Sequence, residues 1–220
     1  MMSPSRGGRP TLEDAEKIRD RILDSATELF LSNGYGSTSI EAVAQSVRVS
    51  KRTFYTRFRD KAELFDAVVR RIVGRLRPAD LSPLFIGDDL EEILLRLAKL
   101  AIAAALSPEA ISLQRLILSE AARFPELAAI VVDEGSRQDA VEAISRLLRR
   151  EPWGGGISLN QAEFAANQFL QLTMSLPQHQ AMGLGSSMSS EERTAWAESS
   201  VRLFLKGFHG FTRPSETNVG

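Results

Sequence analysis

Val49-Ser50-Lys51-Arg52-Thr53-Phe54-Tyr55-Thr56-Arg57-Phe58 is the stretch whose reading decides the fold. Ser50 is a helix N-cap residue type, and Phe54 and Phe58 are one turn apart, so both fall on the inner face of the helix that Ser50 opens. Lys51, Arg52, Thr53, Tyr55 and Thr56 then face outward. From Arg48 to Lys61 the chain carries six Lys/Arg (Arg48, Lys51, Arg52, Arg57, Arg59, Lys61) against one acid, Asp60. A helix that enters the major groove needs this division, with short polar and cationic side chains on one face and a locking apolar face behind. A basic run alone would equally suit a solvated helix face, so the flanking sequence has to decide.

Upstream, Ile18, Ile22, Ala26, Leu29 and Phe30 recur at helical spacing, and Asn33-Gly34 supplies a left-handed stop. Thr38 and Glu41, in T-x-x-E form, predict a capping box that opens a short helix with Ile40, Val43, Ala44 and Val47 on its apolar side. A tight turn around Val47-Arg48-Val49 separates this helix from the one at Ser50. Downstream, Asp60 and Glu63 predict the cap of a long helix with Leu64, Phe65, Val68, Val69, Ile72, Val73 and Leu76 on a wide apolar stripe, ending near Pro78. A helix, a capped short helix, a tight turn, a second capped helix and a long helix make a three-helix DNA-binding pattern with a helix-turn-helix.

In order, Leu29-Phe30, Asn33-Gly34-Tyr35, Thr38-Ser39-Ile40-Glu41-Ala42-Val43-Ala44, the decapeptide above and Asp60-Lys61-Ala62-Glu63-Leu64-Phe65 resemble the TetR family of bacterial regulators, over roughly Ala15 to Val69. The resemblance implies that Ser50 to Tyr55 belong to a recognition helix. It also implies that Tyr55 and Lys61 hold phosphates, that Thr38 or Ser39 caps and contacts the DNA backbone beside them, and that Lys51, Arg52 and Thr53 lie nearest the base edges. Arg52 suits bidentate guanine contact, worth about 1–3 kcal/mol of discrimination, while Lys51 serves equally well on a phosphate. The sequence leaves these two roles open. The family commonly has glycine where this chain has Arg48, and alanine where it has Val47. A left-handed arginine costs about 1 kcal/mol, which a phosphate contact from Arg48 would offset.

The chain has 220 residues and a net charge of −1, unevenly spread: residues 1–77 carry 15 Lys/Arg against 10 Asp/Glu, and residues 78–220 carry 12 against 18. A basic module is joined to an acidic one. The expected organisation is a flexible N-terminal arm over residues 1–14, a DNA-binding domain over 15–77 and a helical ligand-binding and dimerisation domain over 78–220. With no apolar signal core and no stretch near the roughly 20 apolar residues that span a bilayer, a cytoplasmic protein without membrane association is expected. The expected fold class is all-α.

In the second module, apolar spacing and prolines predict helices over Leu90–Ala104, Ile111–Ala122, Pro125–Leu148 with Gly135 weakening its middle, Ala162–Leu176 and Glu191–Phe208. Glu120-Ala121-Ala122-Arg123-Phe124-Pro125-Glu126-Leu127 resembles the AefR-like C-terminal domain found in one branch of the same family. Trp196, Val201, Phe204 and Phe208 give the last helix more apolar surface than solvent favours. Core packing within one chain accounts for it, and so does the homodimer interface that the resemblance implies. Asn167, Gln168, Gln171 and Met174 are the candidate contacts for a small, hydrophobic ligand; polar side chains satisfied within a core are the alternative.

An enzyme finds little support. There is no cysteine, His179 and His209 are the only histidines, and no His pair has metal-binding spacing. Gly154-Gly155-Gly156 and Gly183-Leu184-Gly185 read as turns, and His179, beside Pro177, as a surface loop residue. No cofactor or metal is expected. The expected partners are double-stranded operator DNA, a second copy of the chain and the ligand, in a palindrome-binding repressor released by that ligand. The competing class is an all-helical protein-interaction scaffold without sequence-specific DNA binding.

Overall fold

The computed structural model describes residues 12–212 apart from 79, 134–135, 151 and 154–155. Of the arm expected over residues 1–14, residues 1–11 lie outside the described residues, as do the glycines at 135, 154 and 155, while Leu12–Asp14 are helical rather than a flexible arm. Those residues form ten α-helices and one short 3-10 turn, with no strand among them. They divide into two compact units. One holds the chain up to Ile72 together with Leu116–Asp133; the other holds Val73–Arg115 and the residues after Asp133. The division places Leu116–Asp133 with the N-terminal helices, whereas a boundary at residue 78 assigns it to the C-terminal domain.

The first unit contains α1 (Leu12–Asn33), α2 (Ile40–Ser46), α3 (Lys51–Tyr55) and most of α4 (Lys61–Leu76). It also holds the end of α6 (Pro108–Glu120) and α7 (Pro125–Asp133). Phe30, Phe54, Phe58 and Phe65 are fully buried, each worth about 1.5–3 kcal/mol in transfer alone. Around them, Tyr35 stacks on Phe30 at 5.6 Å and meets Phe65 edge-on at 5.3 Å and Phe124 edge-on at 5.1 Å. Arg71 of α4 bridges Asp20 and Asp24 of α1, both at 2.7 Å. Gly34 ends α1 with φ 90°, the left-handed stop expected of Asn33-Gly34. At Gly36 the backbone N–H donates to a Glu120 carboxylate oxygen at 2.6 Å, and a Cβ there would press on Phe124 and on that carboxylate.

The second unit is a helical bundle of α5 (Leu90–Ala105), α8 (Ser136–Leu148), α9 (Leu159–Ala181) and α10 (Ser190–Thr212), with α9 packed on the other three. The connector at Pro78–Gly87 contains a 3-10 turn, Ser82–Phe85, with Pro83 in its first turn. Of the helix expected over Pro125–Leu148, the described residues give α7 and α8, and residues 134–135 between them lie outside the described residues.

Helix α9 runs through Pro177, so the helix expected to stop at Leu176 continues for five more residues and His179 is an exposed helical residue, not a loop residue. The reason lies on another helix. Proline lacks the N–H that would bond the carbonyl four residues back, here Thr173, and the Trp196 indole of α10 donates to that carbonyl at 2.9 Å. Trp196 fills the vacancy that would otherwise discourage a proline at this position.

Candidate nucleic-acid interface

Both short helices are capped by serines. The Ser50 hydroxyl accepts the Thr53 N–H at 3.0 Å, as its position in the sequence predicts. For α2 the expected cap moves by one residue: Ser39 accepts the Ala42 N–H at 3.0 Å, while Thr38 is buried and donates its hydroxyl to the Gly34 and Leu29 carbonyls at 2.8 and 3.1 Å. Thr38 therefore locks the loop after α1 from inside and does not form the capping box with Glu41. Glu41 instead pairs with Lys51 at 2.6 Å, which holds its carboxyl below the usual range and raises the Lys51 ammonium pKa. Asp60 caps α4 by accepting the Glu63 N–H at 2.8 Å, and the Glu63 carboxylate reaches back to the Arg59 N–H at 2.7 Å. That Glu63 N–H bond is the main reason the Asp60 carboxyl sits below its ordinary pKa.

Arg48 takes the left-handed conformation, φ 55°. The Val49 N–H bonds the Ala44 carbonyl at 2.9 Å and the Arg48 N–H bonds the Gln45 carbonyl at 3.0 Å, the paired pattern of a Schellman motif usually completed by glycine. Arg21 of α1 adds a third tie, donating to the Val47 carbonyl at 2.6 Å. These bonds hold the turn that sets α3 against α2.

Phe54 and Phe58 face inward, their rings 5.7 Å apart, and Lys51, Arg52, Tyr55 and Thr56 are exposed. Thr53 is half-buried, its hydroxyl 2.8 Å from that of Ser50. The six cations of this region are not equivalent. Arg57 turns back to the Ala15 carbonyl and to the Thr56 hydroxyl, Arg59 pairs with Asp60 at 3.0 Å, and Lys51 is held by Glu41. Lys61 sits 4.3 Å above the Tyr35 ring with its ammonium 3.4 Å from the Gly36 carbonyl, and burial lowers its pKa. Arg48 and Arg52 are exposed and have no side-chain partner among the described residues. Sequence reasoning missed Arg21, Arg57 and Glu120 as supports of this site. Arg21 and Glu120 bond to groups 26 and 84 residues away, a distance at which no local pattern signals them.

The candidate ligand residues line neither of two clefts in the second unit. Gln168 and Gln171 are exposed, Asn167 donates to the Glu163 carbonyl and accepts from Arg137, and Met174 packs against the core of the second unit. Clefts in that unit are instead lined by residues such as Lys99, Leu106 and Arg193. The dimer candidates also move. Val201, Phe204 and Phe208 are buried within the chain, where Phe204 meets Phe169 at 5.2 Å, and Trp196 is taken up by Thr173. Of the two accounts of these residues, the described chain favours core packing. Their apolar periodicity is that of the inner face of α10. The outer faces of α9 and α10 carry other apolar side chains: Phe164 is 56%, Leu203 61% and Phe211 44% exposed.

Comparison with known proteins agrees with this geometry. The family described as "AefR-like transcriptional repressor, C-terminal domain" matches residues 92–209, and "Bacterial regulatory proteins, tetR family" matches residues 22–68. The chain belongs to the TetR family of DNA-binding transcriptional regulators. It is similar to the HTH-type transcriptional regulator UidR of Escherichia coli, 28% identical over 152 residues that span 66% of this chain and 71% of UidR. Among solved structures, a TetR-family regulator from Mesorhizobium loti aligns at 28% identity and a TM-score of 0.73, over 88% of this chain and 97% of that one. The flavonoid-responsive regulator FrrA aligns at 27% identity and a TM-score of 0.69, over 87% of this chain and 97% of its own. Among the described residues no helix is long and apolar enough to cross a membrane.

Proposed function

We propose that this regulator is a repressor that binds a palindromic operator as a homodimer and releases it when a small hydrophobic molecule binds the C-terminal domain. The observation that carries the proposal is the exposed, unpartnered Arg52 on a recognition helix whose cap and inner face are fully formed. Arg52 reads guanine, Arg48, Tyr55 and Lys61 engage phosphates, and Ser39, Lys51 and Thr56 lie on the edges of the contact. The buried Thr38 acts through the loop it locks. FrrA is by its name flavonoid-responsive, which supports release by a small molecule here. The outer faces of α9 and α10 support a dimer. Phe164 and Phe211 touch across them at 6.0 Å, and Leu203, Gly207 and Gly210 follow one another at helical spacing, the glycines with open space where a side chain would stand. Gln168 and Gln171 share the exposed face of α9 with Phe164 and join this interface instead of a ligand pocket. The protein acts in the cytoplasm, where operator DNA lies.

Selection of random duplex DNA on the purified protein, followed by sequencing, tests this: an inverted repeat is expected, and a pool without one favours the scaffold alternative. On the selected site, Arg52→Ala relaxes preference at one position of each half-site by about 1–3 kcal/mol, whereas Lys61→Ala weakens all sequences and reduces the salt slope. Equal effects from the two substitutions would overturn the roles given to them.

A further inference from the structure

Two clefts, of about 450 and 370 Å³, lie in the second unit and share Leu106 and Arg193. One is bounded by the C-terminal half of α5 and the start of α10, the other by the start of α6, the end of α9 and the segment before α10. Each falls within the roughly 300–1,000 Å³ of small-molecule sites. Lys99, Arg193 and Arg115 line them and no carboxylate does; none of these three cations makes a close ion pair among the described residues, and Glu191 acts on Arg193 only as a neighbouring charge outside the lining. In a module with 12 basic against 18 acidic residues, three cations without a close ion pair along one groove are a departure from the local charge balance. Two are also fixed in place: Arg193 donates to the Met188 carbonyl and Arg115 to the Ala181 carbonyl, both at 2.9 Å, with further N–H donors left over. Between the charges the walls are apolar, with Ile111 buried and Leu106 and Met188 half-buried.

From this arrangement we infer that the groove binds a small amphiphilic carboxylate. The carboxylate sits between Lys99 and Arg193, where the guanidinium fork matches its two oxygens, and the apolar body lies along Leu106, Ile111 and Met188. The inference rests on the reading that the C-terminal domain senses a small molecule, and it gives that molecule a charge and a site.

The test titrates the full-length protein, without DNA, with decanoate and with 2-naphthoate by calorimetry, against decan-1-ol and decylamine. The carboxylates are expected to bind one per chain, and the alcohol and amine about tenfold more weakly or not at all. Arg193→Gln and the exposed Lys99→Gln are each expected to cost about fivefold or more in carboxylate affinity, an effect that shrinks in high salt, while Arg146→Gln, at an exposed arginine outside both clefts, changes nothing. Thermal melts of the variants identify any that fail to fold, and Lys99→Gln leaves no buried group unpaired. Failure of both carboxylates to bind, equal binding of acid and alcohol, or full affinity in both charge variants overturns the site. Binding that leaves an operator complex intact supports the site and counts against release by ligand, so the two ideas fail separately.

Discussion

Arg48 occupies a backbone region that costs a non-glycine residue about 1 kcal/mol, yet the Schellman bonds and the Arg21 tie keep it there. Arg48→Gly relieves that strain but loosens the unfolded chain, so stability measured in urea should change by no more than about 1 kcal/mol. Operator affinity should fall, with a salt slope lower by about one, because the guanidinium leaves the phosphate face. An unchanged slope would sink the phosphate role. Tyr35 offers a second residue-scale test. Burial, and then the charges of Glu126, Asp60 and Glu120, push its phenol from 10.0 up to about 12. The unfolded chain ionises first, so the stability tied to the neutral phenol is fully present below pH 10 and is lost as pH rises towards 12. Tyr35→Phe should therefore lose less stability than the parent across that window; parallel curves would count against the shift.

At the scale of elements, Pro177 and Trp196 solve one problem from two helices. Trp196→Phe leaves the buried Thr173 carbonyl without a donor and should cost about 1–3 kcal/mol in chemical denaturation. In a Pro177→Ala background the restored N–H can bond Thr173, so the same substitution should cost about 1 kcal/mol less. Additive losses would refute the compensation. This pair also marks the limit of what the sequence discloses. Caps at Ser50 and Asp60, the stop at Gly34 and the inward Phe54 and Phe58 depend on neighbours within a turn or two and could be read directly. The continuation through Pro177 depends on a residue 19 positions later on another helix, and local patterning carries no trace of it. Thr38 and Ser39 show a subtler failure. Both are good caps, and Glu41, three residues after Thr38, completed an attractive motif. The loop's need for an internal hydroxyl fixed the register instead.

For the whole molecule, periodicity located α10 but not the destination of its apolar faces. The inner stripe through Val201, Phe204 and Phe208 serves the chain's own core, and the outer one, with Leu203, stays exposed and is the face proposed to meet a second copy. Leu203→Glu should leave the helical content intact, shift sedimentation from dimer to monomer, and weaken operator binding by about tenfold or more as the two half-sites uncouple. A variant that still sediments as a dimer would move the interface elsewhere. The DNA-binding surface of such a dimer carries fewer effective charges than its sequence suggests. Lys51 arrives with Glu41 as its own counterion, so moving it onto a phosphate exchanges one anion for another and frees little salt. In the proposed dimer two such pre-neutralised lysines restrain the indiscriminate grip on ordinary chromosome, and the choice of site falls to the base-reading role proposed for Arg52.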